Sequence, residues 1–205
     1  MLKSTTGHSK LSGKVLVVVH DAGGAEIIAA YIRAHTGEAV FCPYIAGPAE
    51  AIFKREGIGF SRIENNQALI ASVIQKNCDS EHVLLGTKWH SRIELIALQE
   101  AKKAGLYTIA YLESWIHYRE RFDYPKPEWE GNLPDEIWVG DRAAKKLAES
   151  VFPATLPIKL VPNQYFENII ERYRKLRLNL LPDKVLFFTN AAENPSDVFL
   201  WLLDG

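Results

Sequence analysis

The sequence predicts an α/β fold, an open, doubly wound, mostly parallel sheet with helices on both faces. Three observations predict it. Val15-Leu16-Val17-Val18-Val19 is an unbroken aliphatic run, the pattern of a strand buried on both faces of a parallel sheet. Short apolar runs of this kind alternate along the chain with segments of helical periodicity, which implies right-handed βαβ crossovers. No internal repeat or low-complexity tract interrupts that alternation.

The elements follow in order. The first run breaks at Asp21-Ala22-Gly23-Gly24, after which Ile27, Ile28, Tyr31 and Ile32 fall at helical spacing and Gly37 supplies a stop. Residues 39–42 read as a short strand. Gly47-Pro48 opens a helix with proline at its first position, and Gly57 closes it. Asn65 or Asn66 caps a helix over 67–75, and 82–85 is the next strand. Ser91 and Glu94 match the S-x-x-E capping box ahead of Leu95, Leu98 and Ala101, with Gly105 as terminator. Strands follow at 106–112 and 136–139. The segment between them, 123–133, contains Pro125, Pro127, Trp129 and Gly131 and reads as a long irregular loop of the kind that is often functional. Asp141 caps a helix through Glu149, residues 158–161 form a last strand, and a helix runs from about 165 to 177.

The chain has 205 residues, 47% hydrophobic and 24% charged, which suits one large globular domain and excludes extended disorder. Residues 1–13 are polar and read as a flexible tail, and 14–180 as the main domain. Leu181-Pro182-Asp183 reads as a linker, and Lys184 to Thr189 as a new strand. One strand and one short helix make no core of their own, so 181–205 is either the start of a truncated second domain or a segment that docks elsewhere. An exposed Val185–Phe188 strand would invite homodimerisation or partner docking.

Lys and Arg number 24 against 25 Asp and Glu, a net charge of −1, so the chain carries no global electrostatic footprint for nucleic acid. The two cysteines, Cys42 and Cys78, are too few for a disulfide scaffold or a zinc site, and reduced thiols in a cytoplasmic protein are the expectation. The first apolar run is far shorter than the ~20 residues a membrane span needs. Neither an H-x-x-x-H nor a Cys/His cluster is present, so no metal is expected, and Ser114 lies in no G-x-S-x-G elbow.

In open α/β sheets ligands bind beyond the carboxyl ends of the strands, and the residues there carry the chemistry. After the first strand come His20, Asp21, Gly23, Gly24 and Glu26. The glycines let backbone approach a ligand, and the helix start offers N–H groups to an anion; the alternative is a tight turn that Asp21 caps. After the strand at 82–85 come Gly86, Thr87, Trp89 and His90, where a flat stacking face and a titratable imidazole suit a sugar or nucleotide cleft. After the strand at 106–112 comes the most unusual segment, Glu113-Ser114-Trp115-Ile116-His117-Tyr118-Arg119-Glu120-Arg121-Phe122. Glu113 reads as a base or a hydroxyl holder, and Arg119 and Arg121 as an anion clamp, or else as partners of Glu120 and Asp123 in an internal ion network.

These segments, with Leu133-Pro134-Asp135-Glu136-Ile137-Trp138-Val139, resemble the N-terminal half of bacterial glycosyltransferase-like proteins of polysaccharide and surface-sugar biosynthesis. In such relatives the segment after the fifth strand reads Asp-His-Trp-Val-Asn-Tyr-Arg-Glu-Arg-Phe. This chain matches at Trp115, Tyr118, Arg119, Glu120, Arg121 and Phe122, and departs at Glu113, Ser114 and His117. The resemblance implies one half of a GT-B-like architecture, a Rossmann-like lobe that mainly holds the acceptor while a second lobe binds a nucleotide-sugar donor. On that reading Asp21, Glu113 and His90 are the catalytic candidates. His20, Gly23, Gly24, Glu26, Thr87, Trp89, Trp115, Tyr118, Arg119 and Arg121 are the binding candidates. The donor is a substrate, and no cofactor is implied. Two alternatives stand beside it: a non-catalytic module that binds a nucleotide, sugar or partner, and a sugar-nucleotide epimerase or hydrolase.

Overall fold

Seven parallel strands form one sheet in the order β3-β2-β1-β4-β5-β6-β7. The computed structural model describes residues 10–87 and 91–175. The strands are β1 (Gly13–Val19), β2 (Ala39–Ile45), β3 (Ser61–Arg62), β4 (His82–Leu85), β5 (Tyr107–Leu112), β6 (Glu136–Val139) and β7 (Ile158–Leu160). The helices are α1 (Ala22–Ala34), α2 (Ala49–Arg55), α3 (Gln67–Lys76), α4 (Ile93–Lys103), α5 (Arg142–Val151) and α6 (Gln164–Lys175). The chain divides into two compact units, residues 1–171 and 172–205. Only the last turn of α6 is described in the second, so the linker, strand and docking expectations for 181–205 lie outside the described residues, as do those for residues 1–9.

The run at 15–19 is apolar on both sides because both sides are covered. Val15, Val17 and Val19 pack with Ile28, Tyr31, Phe53, Ile109 and Trp138 in the layer beneath α1 and α2. Leu16 and Val18 pack with Ile70, Val83, Leu98 and Ile137 in the layer beneath α3, α4 and α5. All five residues of the run are fully buried. β1 lies between β2 and β4, so the chain winds outward from β1 in one direction through β3, then returns beside β1 and winds the other way through β7. That reversal opens a crevice at the carboxyl ends of β1 and β4.

Several details depart from the sequence expectation. Strand β1 begins at Gly13, and Leu11 is buried with its N–H 3.4 Å from the Tyr31 hydroxyl, so ordered chain reaches into the expected tail. Strand β2 runs on through Pro43 to Ile45. β3 pairs only with Tyr44 and Ile45, so Pro43 sits where β2 is still an edge. β3 itself is two exposed residues with no apolar run to announce it. Pro48 is the N-cap of α2, one residue ahead of its expected place. The irregular segment contains a short 3-10 turn at Trp129–Asn132, and another, Glu120–Phe122, just precedes it.

At the amino edge of the sheet the carboxylate of Glu136 is internally satisfied. Trp138 Nε1 donates to Glu136 Oε1, while Lys159 Nζ and the Tyr107 hydroxyl reach Glu136 Oε2 at 2.6 and 3.1 Å. A buried carboxylate with these partners is a structural group.

Phe53 is fully buried on the α1/α2 face. Phe53→Ala should lower the unfolding free energy by about 3–5 kcal/mol, read as a fall in the urea midpoint with unchanged slope.

Candidate functional site

The carboxyl edge is assembled around glycines that let three strand ends approach. After β1, Asp21 is the N-cap of α1, in extended backbone, but its carboxylate makes no capping hydrogen bond to the first turn. The capping alternative for Asp21 is therefore not realised. A side chain at Gly24 would place its Cβ 3.5 Å from Gly86 Cα, so α1 meets the turn after β4 backbone to backbone. At Gly23 a Cβ would lie 3.0 Å from Glu113 Cγ and 3.5 Å from Asp21 Oδ2. Asp21 and Glu113, from strands β1 and β5, thus converge over a residue that has no side chain to separate them.

Beneath Glu113 is a buried guanidinium. Arg121 Nη1 lies 2.6 Å from both Glu113 oxygens, 2.8 Å from the Thr87 hydroxyl and 3.0 Å from the Thr87 carbonyl. Its Nη2 donates to Ser114 Oγ at 2.7 Å, and Nε to the Ile116 carbonyl at 3.4 Å. The Thr87 hydroxyl stands 3.0 Å from Glu113 Oε2 and 3.2 Å from the Tyr111 carbonyl, with one proton to serve the two. The Arg121 side chain is 3% exposed and that of Glu113 11%. The donors of Arg121 are engaged by the protein, so it holds the turns after β4 and β5 together and does not present a fork to a ligand.

The internal ion network expected for the arginines forms with other partners. Arg121 pairs with Glu113, not Glu120 or Asp123. Asp123 instead accepts from Arg92, at 3.1 and 3.4 Å, and from Lys126. Arg119 stacks over the Tyr124 ring, 4.1 Å from its centroid. Among the described residues, the non-glycine residues with positive φ, His117, Asp123 and Glu128, all lie in this one segment. Asp123 is held in this costly backbone conformation by its ion pairs with Arg92 and Lys126.

Glu94 also departs from expectation. It does not fold back to complete a capping box. Its Oε1 accepts from the His20 N–H at 2.8 Å, joining α4 to the end of β1. Ser91 Oγ accepts from the Ile93 N–H instead. Burial pushes the Glu94 carboxyl above the usual carboxylate range, against the opposing pull of nearby N–H groups, His20 and Ser91. The His20 ring lies against Gly47, where a Cβ would come within 2.6 Å of Nε2 and where φ is +58°. His20 is thus a packing and anchoring residue in this structure.

A groove of about 600 Å³ opens beside the carboxylates, beyond the ends of β5, β6 and β7. Glu113, Trp115, Ile116, Asp141, Phe166 and Ile170 are among its walls. Trp115 donates from Nε1 to Asp141 Oδ2 at 3.0 Å, while Asp141 Oδ1 caps α5 through the Ala144 N–H at 2.8 Å. Asn163 caps the start of α6 through the Phe166 N–H.

The structure therefore brings together Asp21, Gly23, Gly24, Thr87, Glu113 and Arg121, and extends from Glu113 to Trp115. It does not bring in Glu26, which is ion-paired with Arg55 of α2 at 2.5 Å. Nor does it bring in Tyr118, which is buried in the core and stacks on Phe152 with centroids 6.1 Å apart. Trp129 likewise packs against Tyr124 and Phe152. Trp89 and His90 lie outside the described residues. The rule that singles out residues after a strand, applied to β6 and β7 as well, would have found Asp141 and Asn163. Phe166 and Ile170 carry no such signal. Among the described residues, no three His, Cys, Asp or Glu side chains come together as a metal site, and no helix is long and apolar enough to cross a membrane.

No family model matches the chain, and no curated protein matches its sequence. Solved structures do match. The S. aureus MnaA–UDP complex is 12% identical, with TM-score 0.55 over 78% of this chain and 51% of that one. The UDP-GlcNAc 2-epimerase from Neisseria meningitidis, bound to UDP-GlcNAc, is 15% identical, with TM-score 0.53 over 80% and 50%. HepE of Anabaena in complex with UDP is 11% identical, with TM-score 0.55 over 73% and 44%. At such identities the likeness is one of fold, and the chain spans about half the length of these proteins.

Two expectations follow. Arg121→Met leaves Glu113 charged and unpaired, and should cost about 3–5 kcal/mol of stability, while Arg121→Met/Glu113→Leu should recover most of it in chemical denaturation. Burial pushes the Tyr31 and Tyr118 phenols up to about 12 from an ordinary value of 10.0. A raised value favours the protonated, folded form, so this stabilisation is whole below pH 10 and is lost as pH climbs through about 12. A phenolate absorbance titration should find these two rings ionising late, together with Tyr107 and ahead of Tyr111, whose phenol burial raises further, and Tyr118→Phe should remove one ring from the late group.

Proposed function

We propose that this chain is the acceptor-handling lobe of a GT-B-type, nucleotide-sugar-dependent glycosyltransferase of polysaccharide biosynthesis. The convergence of Asp21 and Glu113 over Gly23, at the crevice where the sheet reverses direction, carries the reading. The fold shared with structures that hold UDP or UDP-GlcNAc supports it.

In this reading the Asp21 carboxylate takes the proton of an acceptor hydroxyl. The freed oxygen lone pair attacks the anomeric carbon of the donor sugar as its bond to the nucleotide diphosphate breaks, and the diphosphate leaves with that bonding pair. Glu113, held by Arg121 and Thr87, fixes the orientation of the acceptor; both its oxygens already accept hydrogen bonds, which suits positioning better than proton removal. Trp115, half out of the protein surface, offers a flat apolar face to a sugar ring.

Thermal shift of the full chain against UDP, UDP-glucose, UDP-GlcNAc and simple glycosides tests it. A sugar-bearing ligand near a hundred times its Kd should raise Tm by about 5–10 °C, and Asp21→Asn should abolish the effect or, where turnover is measured, lower it about 10²–10⁴-fold. No response to any of these ligands would overturn the proposal.

A second reading is a sugar-nucleotide epimerase, favoured by the epimerase among the fold relatives. Incubation with UDP-GlcNAc in D₂O separates the two. An epimerase returns an inverted sugar with deuterium at the inverted carbon and needs no acceptor; a transferase returns unlabelled sugar and UDP only when an acceptor is added.

A further inference from the structure

We propose that the groove beyond β5, β6 and β7 selects an uncharged, hydroxyl-bearing acceptor with an apolar aglycone, and excludes phosphorylated ones; the inference rests on the glycosyl-transfer reading of the adjacent carboxylates. Three observations lead to it.

The first is charge. Glu113, Asp141 and Glu167 line the groove, and no Lys, Arg or His is among the described residues that line it. Glu113 is balanced from beneath by Arg121, which is itself buried and turned to protein partners. A phosphate or diphosphate placed here would meet negative charge with no cation to receive it. The carboxylates and Asn163 are suited to hydroxyl groups.

The second is the opposite wall. Trp115, Ile116, Phe166 and Ile170 are 60%, 61%, 56% and 50% exposed, high values for large apolar side chains gathered in one groove. Phe166 and Ile170 are four residues apart on α6 and so share a helix face. A free monosaccharide has no use for this surface beyond Trp115. An acceptor with an alkyl or aromatic aglycone covers it.

The third is preorganisation and continuity. Trp115 is tethered through Nε1 to Asp141, and the backbone of Phe166 is fixed by the Asn163 cap, so the apolar wall is built before a ligand arrives. Glu113 belongs both to the groove and to the carboxylate pair over Gly23. An acceptor hydroxyl held at Glu113 therefore lies next to Asp21, with its aglycone directed along the Phe166–Ile170 face.

Calorimetric titration of the full chain with octyl β-D-glucoside below its micelle concentration, methyl β-D-glucoside and octyl phosphate tests the inference. Octyl glucoside should bind about tenfold or more tighter than methyl glucoside, the gain from burying roughly two methylenes, and octyl phosphate should bind at least about tenfold more weakly than octyl glucoside. Phe166→Ser and Ile170→Ser, at exposed positions, should remove the octyl preference while the circular dichroism and Tm stay unchanged. Equal affinity for the two glucosides, octyl phosphate binding as well as octyl glucoside, or unchanged octyl affinity in both variants would overturn it. So would light scattering that shows a dimer dissolved by either substitution, since a second copy would then be the occupant. A chain that responds to UDP-sugars but shows no octyl preference sinks this inference and leaves glycosyl transfer standing. An octyl preference with Asp21→Asn leaving glycoside binding and any turnover unchanged retains the groove and removes the transferase reading.

Discussion

The buried Glu113–Arg121 pair is the interaction on which the carboxyl edge depends. Through it the turn after β5 is tied to Thr87 at the end of β4 and to the 3-10 turn that carries Arg121 itself. Two charges removed from water stabilise a structure only when their remaining hydrogen-bonding capacity is met. Here it is met from three sides, by the Thr87 hydroxyl and carbonyl, the Ser114 hydroxyl and the Ile116 carbonyl. The consequence is that Glu113 is fixed in orientation, and Trp115, two residues on, leaves the same anchored turn.

Small residues set how closely the other components approach. Gly24 and Gly86 bring α1 against the end of β4, and Gly23 leaves room for Glu113 to come up beside Asp21. Gly47 makes room for the His20 ring, which lets the His20 N–H reach Glu94 on α4. The Glu113–Arg121 ion pair and the contact from Glu94 to the His20 N–H hold the edge from within, while Trp115 and the groove face outward.

The two ends of the sheet divide the polar work. At the amino edge Glu136 is closed off by Trp138, Tyr107 and Lys159. At the carboxyl edge the carboxylates border open volume lined by apolar side chains. That asymmetry is the general property of doubly wound sheets, in which the helix starts and variable turns gather at one end. In this chain it takes a particular form, negative charge beside an apolar wall with no Lys, Arg or His among the described residues that line the groove.

How much of this was legible in the sequence differs from one part to another. The aliphatic run at 15–19, the helical spacing of Ile27, Ile28, Tyr31 and Ile32, and the caps at Asn66 and Asp141 are local patterns, and each produced its element in place, because period and capping are properties of neighbouring residues. The rule about strand ends likewise named Asp21, Thr87, Glu113 and Trp115. The partners of charged groups were not legible. Arg121 stands one residue from Glu120 and two from Asp123, yet it binds Glu113, eight residues back, because the turn folds it under the sheet edge; Glu94 stands where a capping box needs it, yet it binds His20, seventy-four residues away. Sequence by itself determined most strands and helices, β3 excepted, and which edge could hold chemistry. Only the tertiary structure decided which charges pair with one another, because long-range pairing depends on desolvation and distance across elements that no local spacing encodes.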